Sequence, residues 1–502
     1  MFRQPLLFAA LAANTIIAAI GLWDAEGLAN FASSVTNMLF DSRGWFIMLS
    51  VTAFVLVCIG LAFSRYGRMK LGGKDDEPEF STITWITMLF SAGMGVGLLY
   101  WGTAEPLFHF TVSRNLFDTT QEAATAALKV TNFHWGIHAW TIYAMLALIL
   151  AYFSYRKQNP MLVSTPIRSV FRDRQWSGIV ASLCDLISLI AVSIGVAGSI
   201  AMGIFQVQSG VESIFGLENT GTWMALGIFL LLFIAYIFPL TVDLASGMAL
   251  IANACMAIAI VLLLYVLLVG PTHYMMNAIV DTLGEYGSEF LTRGLKTYTF
   301  VDQSNRSWFK DWTLTYMIWW IAWAPFVSVF IARISRGRTI REFLVTVILI
   351  PTLFSIVWFG VFGGIGFYEI LEGTLPLLET VQTNLDAVTF KVLERLPLSI
   401  VTVPTTIVIS FMFVVTSVVS ATYVLAMFSE AGNENPKTRS KLIWGTIVGV
   451  LGIVAILTGN IEAVRAIIAL GAMPFSFIIL LLLVCLLKDL KRLKHTSHGK
   501  LN

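Results

Sequence analysis

Apolar runs about 20 residues long, parted by short polar connections, recur from one end of the chain to the other. A helix of that length crosses a bilayer, because each residue advances it about 1.5 Å. On this measure the pattern predicts twelve spans, near 5–23, 45–64, 81–105, 130–154, 178–211, 221–240, 246–269, 311–333, 343–368, 398–428, 442–458 and 464–487. All are too long and unbroken for barrel strands. The expected fold is an all-α polytopic membrane protein of twelve transmembrane helices. Composition agrees, with 57% hydrophobic and 12% charged residues where soluble domains carry about 25% charged.

The polar positions orient the spans. Arg65, Arg68, Lys70 and Lys74 follow span 2, Arg156, Lys157, Arg168, Arg172 and Arg174 follow span 4, and Arg333, Arg336, Arg338 and Arg341 follow span 8. Lys437, Arg439 and Lys441 follow span 10, and Lys488, Lys491, Arg492 and Lys494 follow span 12. The rich clusters all follow even-numbered spans, so the positive-inside bias places both termini in the cytoplasm. Span 1 follows a single Arg3 and has no small-residue cleavage site before Trp23, so it reads as a retained helix. The formal net charge of +2 marks no nucleic-acid partner. Cys58, Cys184, Cys255 and Cys485 all fall inside spans and make no disulfide framework. No Walker loop, CxxC pair or HExxH is present, which removes the usual signatures of ATP hydrolysis and of a zinc site.

The connections 271–310 and 369–397 are too polar to span yet intermittently apolar, as helices on the surface of the bundle would be. This gives an organisation of 1–70 (spans 1 and 2), 81–270 (spans 3–7), 271–310 (surface helix and outer loop), 311–487 (spans 8–12) and a short basic tail at 488–502.

Span 3 contains SAGMGVG at 91–97. Gly93, Gly95 and Gly97 each weaken a helix by about 1 kcal/mol relative to alanine. A spacing of two prevents them from sharing one face as a GxxxG contact would. They predict an unwound segment, which a membrane protein tolerates where backbone lines a cavity, and transporters bind substrate at such interruptions. If spans 3–7 and 8–12 are inverted repeats, span 8 should be interrupted as well, and it carries Pro325.

Aromatic residues supply the chemistry. FHWGIHAWTIY in span 4 puts Trp135, Trp140 and Tyr143 within an arc of about 140°, and WTLTYMIWWIAW in span 8 puts Trp312, Tyr316, Trp319, Trp320 and Trp323 within about 100°. Facing ring walls of this kind hold quaternary ammonium groups through cation–π attraction; the alternative is an aromatic packing seam. The stretches 81–104, 130–155, 312–332 and 397–429 contain no Asp, Glu, Lys or Arg. A net cation at membrane depth calls for a counter-carboxylate, whereas a zwitterion can place its onium among the rings and its carboxylate on N–H groups freed at Gly93–Gly97. The lack of a carboxylate near Gly97 weighs against choline.

SAGMGVGLLYWGTAEP, FHWGIHAWTIY and WTLTYMIWWIAWAPFVSVFIARISRGRTIREF, in this order and spacing, resemble the betaine/choline/carnitine transporter family over nearly the whole chain. The resemblance implies a LeuT-type fold of two inverted five-helix repeats (helices 3–7 and 8–12) after two N-terminal helices. It also implies a homotrimer with subunit contacts from a surface helix near 275–292, and secondary transport of an onium compound across the cytoplasmic membrane. By motif the substrate cage corresponds to Trp135, Trp140, Tyr143 and Trp320, with Trp319 and Trp323 flanking it and Gly93, Met94, Gly95 and Gly97 at the break. No catalytic residue and no cofactor is implied. Sodium is the expected coupling ion, at a site formed by Ser91 and Met94 with Phe413, Thr416 and Ser417 of FVVTS. Thr416 and Ser417 can instead bond to their own helix.

Two features depart from the family pattern. Val419 stands where relatives usually have an aspartate, and Val192 and Val196 stand where some have second-site threonines, leaving Phe326 alone and a second sodium unsupported. His134 and His138 open a proton-coupled alternative. An ion-independent exchanger, a channel and an osmotic sensor also stay open. An enzyme lacks paired carboxylates or an activated nucleophile in the spans.

Overall fold

The computed structural model describes residues 3–73, 75–93, 95–113, 119–217, 220–242, 245–373, 375–459 and 461–498. Among these residues the regular secondary structure is all helical, apart from one β-bridge between Lys70 and Thr339. Eleven helical segments are long and apolar enough to cross a membrane. The segment predicted as span 3 is absent from the eleven because it is divided, and neither half qualifies alone.

Two long helices open the chain, α1 (Arg3–Trp23) and α2 (Ala25–Phe63). The second begins 20 residues earlier than the sequence reading has it, capped by Asp24, whose carboxylate accepts from Gly27 N at 2.7 Å. The divided segment is α3 (Thr82–Gly93) and α4 (Val96–Ser113). Next come α5 (Thr120–Trp135), started by a Thr119–Glu122 capping box, and α6 (Ile137–Ala151). A short α7 (Thr165–Val170) leads to α8 (Ser177–Phe215), α9 (Gly221–Thr241) and α10 (Ala245–Val269).

The connection at 271–310 holds α11 (Thr272–Gly294), which buries Met275, Thr282 and Tyr286 along one stripe against α14 and α5, and α12 (Gln303–Trp308). A π-helical turn, Phe309–Leu314, joins it to α13 (Thr315–Ile334). Then follow α14 (Ile340–Leu371), the short α15 (Leu377–Thr383) and α16 (Val388–Arg395) of the connection at 369–397, α17 (Ser399–Ser429), α18 (Thr438–Leu457) and α19 (Ile461–His498).

Burial separates centre from rim. Of the most apolar window, 94% is buried in the α5–α6 segment and 89% in the α12–α13 segment, against 22% in α1. The two aromatic runs therefore lie at the heart of the bundle, where α13 packs along α6, α8 and α19. Helix α13 stays helical through Pro325, so the interruption expected there does not occur. A proline removes one backbone bond, and close packing on three neighbours holds the remaining turns. A second break does occur, but in the first unit: α5 and α6 part at Gly136, within the predicted span 4.

The start of α3 is pinned to the end of α13. Trp85 Nε1 donates to Ser335 Oγ at 2.9 Å, and the Arg338 guanidinium lies 4.5 Å from the Trp85 ring centre while donating to Phe80 O. Backbone bonds from Leu71 N to Arg338 O and from Gly337 N to Leu71 O close the same corner.

Candidate functional site

The broken helix is where the glycines place it. Helix α3 ends at Gly93, Gly95 bends, and α4 begins at Val96. Met94 lies outside the described residues; Ser91 and Gly93 belong to the last turn of α3. N–H groups that open a helix have no carbonyl one turn back within it, and Val96 and Gly97 are the first two residues of α4. Trp358 Nε1 donates to Leu98 O at 2.9 Å and fixes this first turn. The glycines also permit close approach: a Cβ at Gly97 would stand 2.7 Å from Trp135 Cη2, and one at Gly95 would stand 3.3 Å from Ser417 Oγ.

Gly95, Val96 and Gly97 form one wall of a small cavity, and Trp135, Tyr143, Trp319, Trp320 and Trp323 form the facing walls. Trp101, Tyr316, Ser199 and Met202 complete it. The cavity has a volume of about 50 Å³, room for a few waters. Trp320 contacts three other rings, with centre separations of 5.5 Å to Trp135, 6.0 Å to Trp140 and 4.9 Å to Tyr143. Trp140 is fully buried against Tyr143 and Trp320 and does not line the cavity, so it supports the rings that do.

Trp135 owes its position to Gly136. Helix α5 stops at Trp135 and α6 starts at Ile137, with Gly136 at φ −101° and ψ −138°. Both backbone groups freed by this kink find partners. Ser355 Oγ donates to Trp135 O at 3.2 Å, and Ile137 N donates to Tyr286 Oη of α11 at 2.8 Å.

A carboxylate that the sequence reading passed over stands beside the cavity. The charge-free stretch ends at Ala104, and the next residue, Glu105, is fully buried. Its Oε2 accepts from Trp135 Nε1 at 2.8 Å and from Tyr316 Oη at 2.5 Å, and its Oε1 pairs with His134 Nδ1 at 2.7 Å and His109 Nε2 at 3.2 Å. The lack of a carboxylate near Gly97, taken as an argument against choline, therefore falls away: a single ring, Trp135, separates the two. His134 is engaged with Glu105 and, through Nε2, with Thr313 Oγ1 at 2.9 Å; His138 faces Thr52. Neither histidine lines the cavity.

Glu105, His109 and His134 bring three possible metal-ligating atoms within 4.8 Å of one another. Hydrogen bonds already engage these groups: Trp308 Nε1 donates to His109 Nδ1 at 3.1 Å, and the histidines face the carboxylate. The geometry is that of a hydrogen-bond network. Beyond Trp101, Arg465 of α19 lays its guanidinium 4.7 Å from the Trp101 ring centre and 4.1 Å from that of Trp312.

On the other side of the break, α17 carries Phe413, Thr416 and Ser417. Ser417 Oγ faces Gly95, as given above, while Thr416 Oγ1 donates to Phe413 O at 3.1 Å in its own helix. Val192 and Val196 are buried hydrocarbon in α8.

Comparison with known proteins matches residues 5–495 to the family model for BCCT, betaine/carnitine/choline family transporter. A glycine betaine transporter of Bacillus subtilis, OpuD, is 36% identical over 483 residues, covering 95% of this chain and 93% of that one. An ectoine/hydroxyectoine transporter of Virgibacillus pantothenticus is 34% identical over 471 residues, 93% of each. A glycine betaine/proline/choline/ectoine transporter of Vibrio parahaemolyticus is 34% identical over 470 residues, 91% of this chain and 82% of that one. With a broken helix facing an aromatic cavity and a family match from near one end to the other, this multi-pass membrane protein belongs to the betaine/carnitine/choline transporter family and is a transporter rather than an enzyme.

Proposed function

We propose that the protein is a secondary transporter that imports a small zwitterionic onium compound of the glycine betaine type, coupled to sodium. The observation that carries this reading is the meeting of Trp135, Tyr143 and Trp320 with the start of α4 around one cavity. The ring faces attract an onium, which is positively charged and has no N–H to donate in a hydrogen bond. The N–H groups of Val96 and Gly97, at the positive end of α4, suit the carboxylate. Glycine betaine, choline, carnitine and dimethylsulfoniopropionate all carry the onium; the α4 terminus favours those that also carry a carboxylate.

Sodium fits the same break as a transported partner. Small alkali ions take oxygen ligands, and carbonyls at the end of a helix lack intrahelical partners. The last turn of α3, where Ser91 lies, would supply such oxygens together with Ser417 and Thr416 of α17. The carbonyls of Met94 and Phe413 complete the expected set. Sharing a break between substrate and ion ties occupancy of one to that of the other, and alternating exposure of the site then drives uptake from the sodium gradient. The reading includes a homotrimer in the cytoplasmic membrane, with both termini inside.

Proteoliposomes given an inward sodium gradient should accumulate labelled glycine betaine above its external concentration, and abolition of the gradient should abolish accumulation. The double substitution Thr416→Val, Ser417→Ala should raise the sodium concentration for half-maximal uptake about tenfold. The bond from Thr416 Oγ1 to Phe413 O favours one second reading, an ion-independent exchanger. Uptake that ignores sodium and requires internal substrate would select it.

A further inference from the structure

Glu105 sits where a charge can act on the cavity without touching its contents. Its side chain is fully buried, and four groups crowd its two oxygens: His134 Nδ1 and His109 Nε2 at Oε1, Trp135 Nε1 and Tyr316 Oη at Oε2. The indole N–H can only donate. His109 Nδ1 already accepts from Trp308 Nε1, so the proton of that ring lies on Nε2 and points at Glu105. A carboxylate has about four lone-pair positions; Trp135, Tyr316 and His109 donate to it, and His134 Nδ1, 2.7 Å from Oε1, is the fourth when its proton lies on that nitrogen. The group is therefore ionised, and its hydrogen bonds are of the strong, charge-assisted kind.

Two of the four donors, Trp135 and Tyr316, belong to rings that line the cavity. A donor bonded to an anion gives up part of its proton's charge, and linked hydrogen bonds polarise one another in a medium of low dielectric. Electron density then rises over both rings. It is the negative ring face that draws an onium, whereas an uncharged group of the same shape gains nothing from it.

We infer that Glu105 is a specificity-determining residue, whose charge, passed through the Trp135 indole and the Tyr316 phenol, makes the cavity choose an onium over its uncharged isostere. The inference rests on the onium reading of the cavity given above. It assigns Glu105 a role that hydrogen-bonding geometry alone would not fill, and so the two can be separated.

The test compares glycine betaine with 3,3-dimethylbutanoate, in which carbon replaces the quaternary nitrogen at constant shape. Wild-type protein should bind the betaine at least tenfold more tightly. In Glu105→Gln the amide oxygen still accepts from Trp135 and Tyr316, and His134 can receive a new N–H by moving its own proton to Nε2, which faces Thr313 Oγ1; the His109 Nε2 proton loses its acceptor, a structural cost that falls on both ligands alike and that the isostere reports. Betaine affinity should fall about tenfold while affinity for the isostere stays within twofold. An equal loss for both ligands, or for neither, overturns the inference and leaves Glu105 a structural acceptor.

Tyr316→Phe provides a second arm should Glu105→Gln fail to fold. It keeps the ring and the carboxylate but cuts one link, so the preference for betaine should fall about threefold; an unchanged preference counts against the inference. Wild-type protein that binds neither ligand sinks the functional reading together with this one. Betaine binding whose preference is the same in both variants sinks this one alone.

Discussion

Trp320→Ala should weaken onium binding about a hundredfold and reduce uptake to background. Trp320 touches Trp135, Trp140 and Tyr143 at once, with ring-centre separations between 4.9 and 6.0 Å. Its removal deletes one cation–π face, up to about 2 kcal/mol in a dry site. It also deletes the ring-on-ring contacts that hold Trp135 and Tyr143, each about 0.5–1.5 kcal/mol. At 1.4 kcal/mol per factor of ten, the direct contact and part of the support give two orders of magnitude. Removing so large a buried side chain also costs stability, about 3–5 kcal/mol, so a control of equal cost is needed. Trp444 is also buried, more completely than Trp320, and its Nε1 donates to Ser429 Oγ at 3.2 Å, away from the cavity lining. Trp444→Ala should lower thermal stability comparably yet leave affinity unchanged. Titration of both variants by tryptophan quenching or labelled ligand decides the matter, and undiminished affinity in Trp320→Ala would remove the aromatic cage from the mechanism.

The parts of this fold that could be read from the chain are those governed by local pattern. Spans follow from run length, and the α3–α4 break follows from three glycines crowded into five residues. Gly136 escaped because a lone glycine in an apolar helix is ordinarily tolerated. What turns it into a kink is Tyr286 of α11, 150 residues further on, which offers its hydroxyl to Ile137 N. The arc computed for Trp135, Trp140 and Tyr143 assumed an unbroken helix, and the kink sets Trp135 on a different axis from the other two.

Glu105 was hidden for a related reason. Counting charge in windows marks where charges are absent along the chain, whereas His134 and Tyr316 reach Glu105 from separate helices. A local trace did exist: Glu105 and His109 are one turn apart, and a carboxylate within an apolar segment is a functional candidate by its cost alone. Pro325 shows the opposite error. Its sequence signal is strong, but packing of α13 against α6, α8 and α19 overrides it.

Gly136→Ala should be the most damaging single-methyl change in the protein's centre. A Cβ there would stand 2.4 Å from Asn132 O and 2.4 Å from Tyr286 Oη. The first of these is backbone in the preceding turn and cannot yield as a side chain does. Relief requires either that Tyr286 withdraw, leaving Ile137 N without its acceptor, or that α5 shift and carry Trp135 away from Gly97 and Glu105. The first leaves a buried donor unpaired, at about 1–3 kcal/mol; the second dismantles the cavity. Uptake should therefore fall to background, and the unfolding temperature in detergent by several degrees. Gly227 of α9 supplies the comparison, because a Cβ there meets nothing within 4 Å; Gly227→Ala should be neutral or slightly stabilising, by up to about 1 kcal/mol. Adding Tyr286→Phe to Gly136→Ala takes away one of the two clashes and should recover part of the stability but little of the transport, since Asn132 O still forces Trp135 to move. If Gly136→Ala behaves like Gly227→Ala in both measurements, the kink is dispensable and Trp135 is held in place by its bond to Glu105 alone.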